Sequence, residues 1–175
     1  MIVGGLSYNS HMPILLSHSF ELISRSPEQT RRLGLRLGAM LKAGDVVALY
    51  GDLGAGKTTL VQGMAKGWGS LDNVTSPTFV LVNVYRRPDG LLLHHMDAYR
   101  LANALEAEYL DLDSMLATGA LVVEWAERIQ EALPENHLWV QLSWMGDEQR
   151  SLIITPHGKR FEGLVKEFRR QAVGG

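Results

Sequence analysis

The chain has no cysteine among its 175 residues. That excludes a disulfide framework, a thiolate nucleophile and any metal centre built on cysteine, and it suits a reducing cytoplasm. An excess of one charge is also missing: 17 Lys and Arg stand against 19 Asp and Glu, a formal net charge of −2. A chain-wide basic footprint for nucleic acid is therefore excluded, although a local patch is not. No uninterrupted apolar run approaches the ~18 residues of a membrane-spanning helix, and no basic segment leading into a long apolar one opens the chain. Neither membrane association nor a secretory signal is expected. Internal repeats, low-complexity tracts and linkers are absent as well. One domain with a sizeable core is expected over residues 18–175. Residues 1–17 form an unassigned extension, in which Ser10-His11-Met12 is either an artificial junction or the approach to a second start.

What the chain does contain is Gly51-Asp52-Leu53-Gly54-Ala55-Gly56-Lys57-Thr58, the P-loop pattern of glycine, four residues, then Gly-Lys-Thr. Gly51, Gly54 and Gly56 lack the Cβ that would hold phosphate oxygens away from backbone N–H groups. Lys57 is a compact cation for β- and γ-phosphates, and the Thr58 hydroxyl is a hard oxygen ligand for Mg²⁺. The context fits this chemistry. Asp45 to Tyr50 is an apolar run of strand length, and Leu60, Val61, Met64 and Trp68 recur at helical spacing after the loop. Strand, glycine loop and helix N-terminus together make an anion site.

Around this centre, Phe20 to Ile23 alternates like a short edge strand. Ser26, Pro27 and Gln29 predict an N-cap, a first helical turn and a capping box. That helix carries a stripe of Leu33, Leu37, Met40 and Leu41, with Gly44 placed to end it and Arg31, Arg32 and Arg36 on a solvated face. Gly67 and Gly69 with Asp72-Asn73 mark a break after the P-loop helix. Phe79 to Tyr85 and Leu91 to Met96 read as strands joined by a hairpin turn at Arg86-Arg87-Pro88-Asp89-Gly90. Leu105, Tyr109 and Leu112 suggest a short amphipathic helix with an acidic outer face. Later strands are expected at Ala120 to Trp125, Leu138 to Leu142 and Ser151 to Thr155. A final helix comes after them, buried through Phe161, Leu164, Val165 and Phe168. Its basic surface is a docking face or a contact for RNA or a partner.

Three further places carry chemistry. Thr75-Ser76-Pro77-Thr78-Phe79 sets hydroxyls beside a stiff proline; it is either a switch segment sensing γ-phosphate or Mg²⁺, or an ordinary turn before a strand. Asp97 ends an apolar run where a P-loop protein needs a metal acid, but an aspartate there also caps the next segment. The adjacent His94 and His95 point to opposite faces of a strand and cannot readily grip one ion, so both are assigned structural roles. Glu124 ends the run Leu121-Val122-Val123, as a general base for water or as an acid favoured before a helix start. Trp125 beside it suits the core.

Gly51 to Thr59, Thr75 to Phe79, His95-Met96-Asp97-Ala98-Tyr99-Arg100 and Glu124-Trp125, in this order and approximate spacing, resemble the bacterial TsaE family, also called YjeE. The likeness spans about Phe20 to Thr155. It implies an α/β fold of the P-loop NTPase type, a three-layer sandwich with a mostly parallel sheet and an antiparallel hairpin. It also implies a weak, partner-stimulated ATPase required for threonylcarbamoyladenosine at position 37 of tRNA, acting with TsaB and TsaD in the cytoplasm. By that resemblance ATP would lie on Gly51, Asp52, Leu53, Gly54, Ala55, Gly56, Lys57, Thr58, Thr59 and Trp125. Mg²⁺ would be held by Thr58, Asp97 and Glu124. Lys57 and Glu124 would serve catalysis, and Ser76 and Thr78 would be the polar members of the switch. Two other classes use the same cradle: a small-molecule or nucleotide kinase, and a nucleotide-dependent interaction module with little turnover. The kinase normally needs an arginine-bearing lid, and no long arginine-rich insertion is present.

Overall fold

A computed structural model describes residues 18–75 and 81–173. Its centre is one seven-stranded sheet. In chain order the elements are β1 (Phe20–Ser24), α1 (Pro27–Met40), β2 (Val46–Tyr50), α2 (Lys57–Trp68), β3 (Val82–Arg86), β4 (Leu92–Asp97), α3 (Ala104–Glu108), α4 (Leu112–Thr118) and β5 (Gly119–Glu124). A 3-10 segment (Ala126–Ala132), β6 (His137–Gly146), β7 (Gln149–His157) and α5 (Lys159–Val173) complete the fold. The spatial order is β1-β7-β6-β2-β5-β4-β3. The middle strands β6, β2, β5 and β4 run parallel; β7 on one flank and β3 on the other run against them, and β1, antiparallel to β7, returns to the direction of the centre. The hairpin expected at residues 86–90 joins β3 to β4, and the late strands form a second hairpin, β6 to β7.

Helices cover both faces of the sheet, as continuous apolar strands require. On one face α1, α2 and α5 enclose Leu37, Leu60, Met64 and Phe168 against Val47, Leu49 and Val122. On the other, Ala107, Leu112 and Ile129 pack over Val46, Ala48, Leu121 and Val123. Successive residues of β2 and β5 thus serve opposite cores, which is why these strands show no polar alternation.

Several local expectations change in detail. Ser26 caps α1 by accepting from the Gln29 N–H at 3.2 Å, but the Gln29 side chain accepts from the Arg25 N–H at 2.7 Å, one residue before the box geometry. The helix ends at Met40, so Gly44 turns the loop beyond it with φ 89° and does not cap α1. Gly67 lies inside α2; the left-handed cap is Gly69, φ 93°. The acidic stretch forms two short helices, and of its expected apolar stripe only Leu112 turns inward, since Leu105 and Tyr109 are 64% and 90% exposed. Ala107 is buried in place of the other two. After Trp125 the chain is 3-10, with non-helical backbone at Ile129.

The α1–α2 contact brings two backbones together. A Cβ at Gly38 would stand 2.0 Å from the Met64 carbonyl oxygen, and one at Gly67 would stand 1.9 Å from that of Leu35. Glycine permits this approach, which fixes α2 and therefore the loop in front of it.

Candidate functional site

The P-loop joins the end of β2 to the start of α2, at the carboxyl ends of the parallel strands. Three of its glycines have positive φ: Gly51 at 150°, Gly54 at 79° and Gly56 at 100°. Gly51 is also constrained by space, since a Cβ there would stand 2.3 Å from the Leu142 carbonyl oxygen of β6. A cavity of about 390 Å³ opens above the loop, reached by Lys57, Thr58, Asp97, Glu124 and Trp125.

Lys57 is 5% exposed. Its Nζ donates to the Gly51 carbonyl and, at 2.9 Å, to that of Asp52, and it lies 4.1 Å from the centroid of the Trp125 ring. Burial lowers its pKa below the ordinary 10.5, against the opposing pull of Glu124, Glu127, Asp97 and Asp52. Trp125 adopts φ 58°, a left-handed conformation uncommon for a bulky residue, and its ring packs 4.9 Å from that of Tyr99. This conformation, at the junction between β5 and the 3-10 segment, accompanies the contact with Lys57. Trp125 therefore contributes to the site as well as to the core.

Thr58 and Glu124 meet directly. The Thr58 hydroxyl donates to the Glu124 carboxylate, with its oxygen 3.0 and 3.2 Å from Oε1 and Oε2. Strand pairing explains the encounter, since Glu124 sits opposite Leu49 of β2 on one side and Asp97 of β4 on the other. Asp97 does cap the turn after β4, its Oδ1 accepting from the Tyr99 N–H at 2.9 Å, yet it also lines the cavity. Desolvation raises its pKa, and the charge of Glu124 adds to the rise. Burial likewise raises the pKa of Glu127, whose Oε2 is buried without a hydrogen-bond partner among the described residues. The carboxylates outnumber the lysine they surround.

Two side chains at the site escaped sequence reasoning. His95 is fully buried, with Nε2 2.7 Å from Glu124 Oε1 and Nδ1 3.0 Å from the Tyr85 hydroxyl. His94 and His95 point to opposite faces, as neighbours in a strand do: His94 meets Thr118 while His95 reaches the site. Its spacing of two from Asp97, which puts both on one strand face, was the available signal. Arg150, at the start of β7, lines the same cavity near Gly56. Among the described residues its Nη1 donates only to the carbonyls of Asp147 and Gln149, and its Nε is buried without a partner. No local sequence pattern could bring it there. Ser76 and Thr78 lie outside the described residues.

A P-loop between β2 and α2, with acids ending the two parallel strands beyond it, defines an α/β sandwich of the P-loop type. The model of the family described as threonylcarbamoyl adenosine biosynthesis protein TsaE matches residues 24–152. The chain belongs to the TsaE family. It is 42% identical over 147 residues to the tRNA threonylcarbamoyladenosine biosynthesis protein TsaE of Bacillus subtilis, covering 83% of this chain and 90% of that protein. With the protein of the same name from Streptomyces coelicolor it shares 46% identity over 137 residues, 75% of this chain and 93% of the other. The crystal structure of Bacillus subtilis YdiB superposes with a TM-score of 0.73 at 35% identity, covering 88% of this chain and 96% of that one.

Proposed function

We propose that this chain binds ATP with Mg²⁺ and hydrolyses it in support of threonylcarbamoyladenosine formation at position 37 of tRNA, acting with TsaB and TsaD in the cytoplasm. The observation that carries the chemistry is the Thr58–Glu124 hydrogen bond beside Lys57 at the mouth of the P-loop. The tRNA pathway is supported by family membership.

The donor set fits the metal. Among the described residues there is no cluster of three His, Asp or Glu side chains arranged to enclose an ion. Mg²⁺ needs none, because it is usually bound through one or two carboxylates together with substrate phosphates and water. Thr58 presents a hydroxyl oxygen whose hydrogen is taken by Glu124, leaving its lone pairs for a cation. Asp97 keeps Oδ2 for the metal or its water while Oδ1 holds Tyr99. When bound, Mg²⁺ supplies charge neutralisation for the phosphoryl oxygens. Lys57 exchanges its loop carbonyls for phosphate oxygens, the Gly54 and Gly56 backbone approaches the phosphates, and the Trp125 ring faces the lysine ammonium. Glu124 orients water through its carboxylate and steadies Thr58 with the same group.

ATP turnover measured for the full chain alone, and again with TsaB, TsaD and tRNA, tests this function. Slow turnover raised by the partners is the expected result. Transfer of labelled γ-phosphate to a metabolite would replace it with a kinase, and binding without turnover under both conditions would leave an interaction module.

A further inference from the structure

We propose that His95 is a positioning residue for Glu124 and that Tyr85 fixes the His95 ring, so that three neighbouring strands present one carboxylate to the P-loop threonine. The role deepens the proposed ATPase function and rests on it. The side chains lie in series across the sheet: Tyr85 on β3, His95 on β4, Glu124 on β5 and Thr58 at the start of α2. Tyr85, His95 and Glu124 are 3%, 0% and 4% exposed.

A carboxylate buried to this degree requires hydrogen-bond donors. Among the described side chains, Glu124 has Thr58 on the cavity side and His95 behind. Lys57, the nearby cation, is engaged by the Gly51 and Asp52 carbonyls. Facing a carboxylate oxygen, an acceptor, His95 Nε2 carries hydrogen and donates, at 2.7 Å. The other ring nitrogen is occupied by the Tyr85 hydroxyl, so rotating the imidazole breaks two buried contacts. The one hydrogen of the Tyr85 hydroxyl lies between His95 Nδ1 and the Thr75 carbonyl 3.1 Å away, whose oxygen accepts from Asn83 Nδ2 at 3.0 Å. Each member has its orientation set by the next.

The consequence concerns placement. Thr58 alone is a hinge for Glu124, because one hydroxyl bridging both oxygens leaves the carboxylate free to swing about it. The His95 donor on Oε1 supplies the second fixed point, directing the remaining lone pairs towards the cavity. Phosphate binding by the loop and Lys57 does not need this, whereas metal placement and water orientation do. His95 itself is closed off from the cavity and acts only through Glu124.

The test compares His95→Leu, His95→Gln and Tyr85→Phe with the native full chain. The measurements are ATP affinity as a function of Mg²⁺, followed by tryptophan fluorescence, and single-turnover hydrolysis. His95→Leu should bind ATP within about threefold of native at saturating Mg²⁺, need several-fold more Mg²⁺ to reach that affinity, and hydrolyse at least tenfold more slowly. His95→Gln, whose amide N–H still reaches a carboxylate, should recover most of both losses, and Tyr85→Phe should fall between. Native turnover and Mg²⁺ dependence in folded His95→Leu would overturn the proposal, as would His95→Gln being no better than His95→Leu. Should His95→Leu fail to fold, Tyr85→Phe, which loses one oxygen, decides: an unchanged rate and Mg²⁺ titration would overturn it. Native protein that binds ATP without turnover removes the ATPase function alone, and the Mg²⁺ dependence of binding still decides the positioning role. Native protein that binds no nucleotide overturns both.

Discussion

Gly38→Ala tests whether the α1–α2 backbone contact holds the P-loop helix in place. The new Cβ would lie 2.0 Å from the Met64 carbonyl oxygen and 2.7 Å from both its carbonyl carbon and Cα, where ordinary contact begins near 3.4 Å. All three atoms are main chain, so no rotamer change relieves the overlap; the helices must separate by about an ångström. Overpacking costs typically about 1–3 kcal/mol, and an obstacle made of backbone places this site near ~3 kcal/mol. Alanine in a helix interior returns about 1 kcal/mol relative to glycine. The net expectation is a loss of about 2 kcal/mol, or a fall in Tm of roughly 4–8 °C for a chain of this size. Gly163→Ala in α5 supplies the control, because a Cβ there meets nothing within 4 Å. It should stabilise by up to about 1 kcal/mol on propensity alone. Urea and thermal unfolding of both variants, followed by circular dichroism without ligand, give the comparison. If Gly38→Ala matches Gly163→Ala in sign and size, the close contact does not hold α2, and the loop must be fixed by other means.

Asp97→Asn should raise the Mg²⁺ concentration needed for hydrolysis several-fold with little change in fold, since an amide can still accept from Tyr99; a native Mg²⁺ titration would leave Asp97 as a cap only. Arg150→Gln should weaken ATP binding about tenfold or more, as a charge-assisted contact is worth about 1.5–3 kcal/mol, while equal ATP affinity by calorimetry would confine Arg150 to the β6–β7 turn. Lys57 has a folded pKa lowered below 10.5, so between that lowered value and 10.5 the unfolded chain holds more protons, and its contribution to stability rises with pH. Nucleotide affinity should fall through the same window because phosphate requires the charged amine, and unfolding and binding measured against Lys57→Met should show these opposite slopes.

Much of the parallel centre was legible because its signals are local. Gly51 to Thr58, the apolar run ending in Tyr50 and the helical spacing of Leu60, Val61 and Met64 lie within one strand, loop and helix, and the structure keeps them in that form. Glu124 and Asp97 could be placed at a rim because each ends an apolar strand. In the acidic helices Leu112 packs inward as its spacing predicts, whereas Leu105 and Tyr109 do not: the small Ala107 takes the inward position of the first helix. Arg150 was invisible for a topological reason: β7 reaches the loop only because β6 lies beside β2 and turns back at Gly146. Adjacent His94 and His95 chelate one ion poorly, and the hydrogen bond that gives His95 its place goes to a carboxylate on the neighbouring strand, a partner only the β4–β5 pairing reveals.

The placement of Glu124 depends on a feature at the opposite end of its strand. Apolarity alone specifies the β5 register poorly, because Ala120 and Val122 face one core while Leu121 and Val123 face the other. A one-residue slip would keep the strand apolar and turn Glu124 away from Thr58. Gly119 restricts that freedom. A Cβ there would stand 1.7 Å from the Leu92 carbonyl oxygen, so the first position of β5 against β4 accepts only glycine without backbone displacement. Slipping by one residue would bring Ala120 or Thr118, each with a Cβ, into that contact. The Gly119 carbonyl also accepts from the Gly44 N–H at 2.9 Å, and the Leu121 N–H donates to Asp45 at 2.9 Å, tying the same end to the approach of β2. With both neighbours pinned there, the regular rise of three parallel strands brings Leu49, Glu124 and Asp97 level at their carboxyl ends. A glycine with no chemistry of its own thus selects which side chain of an apolar strand meets the P-loop.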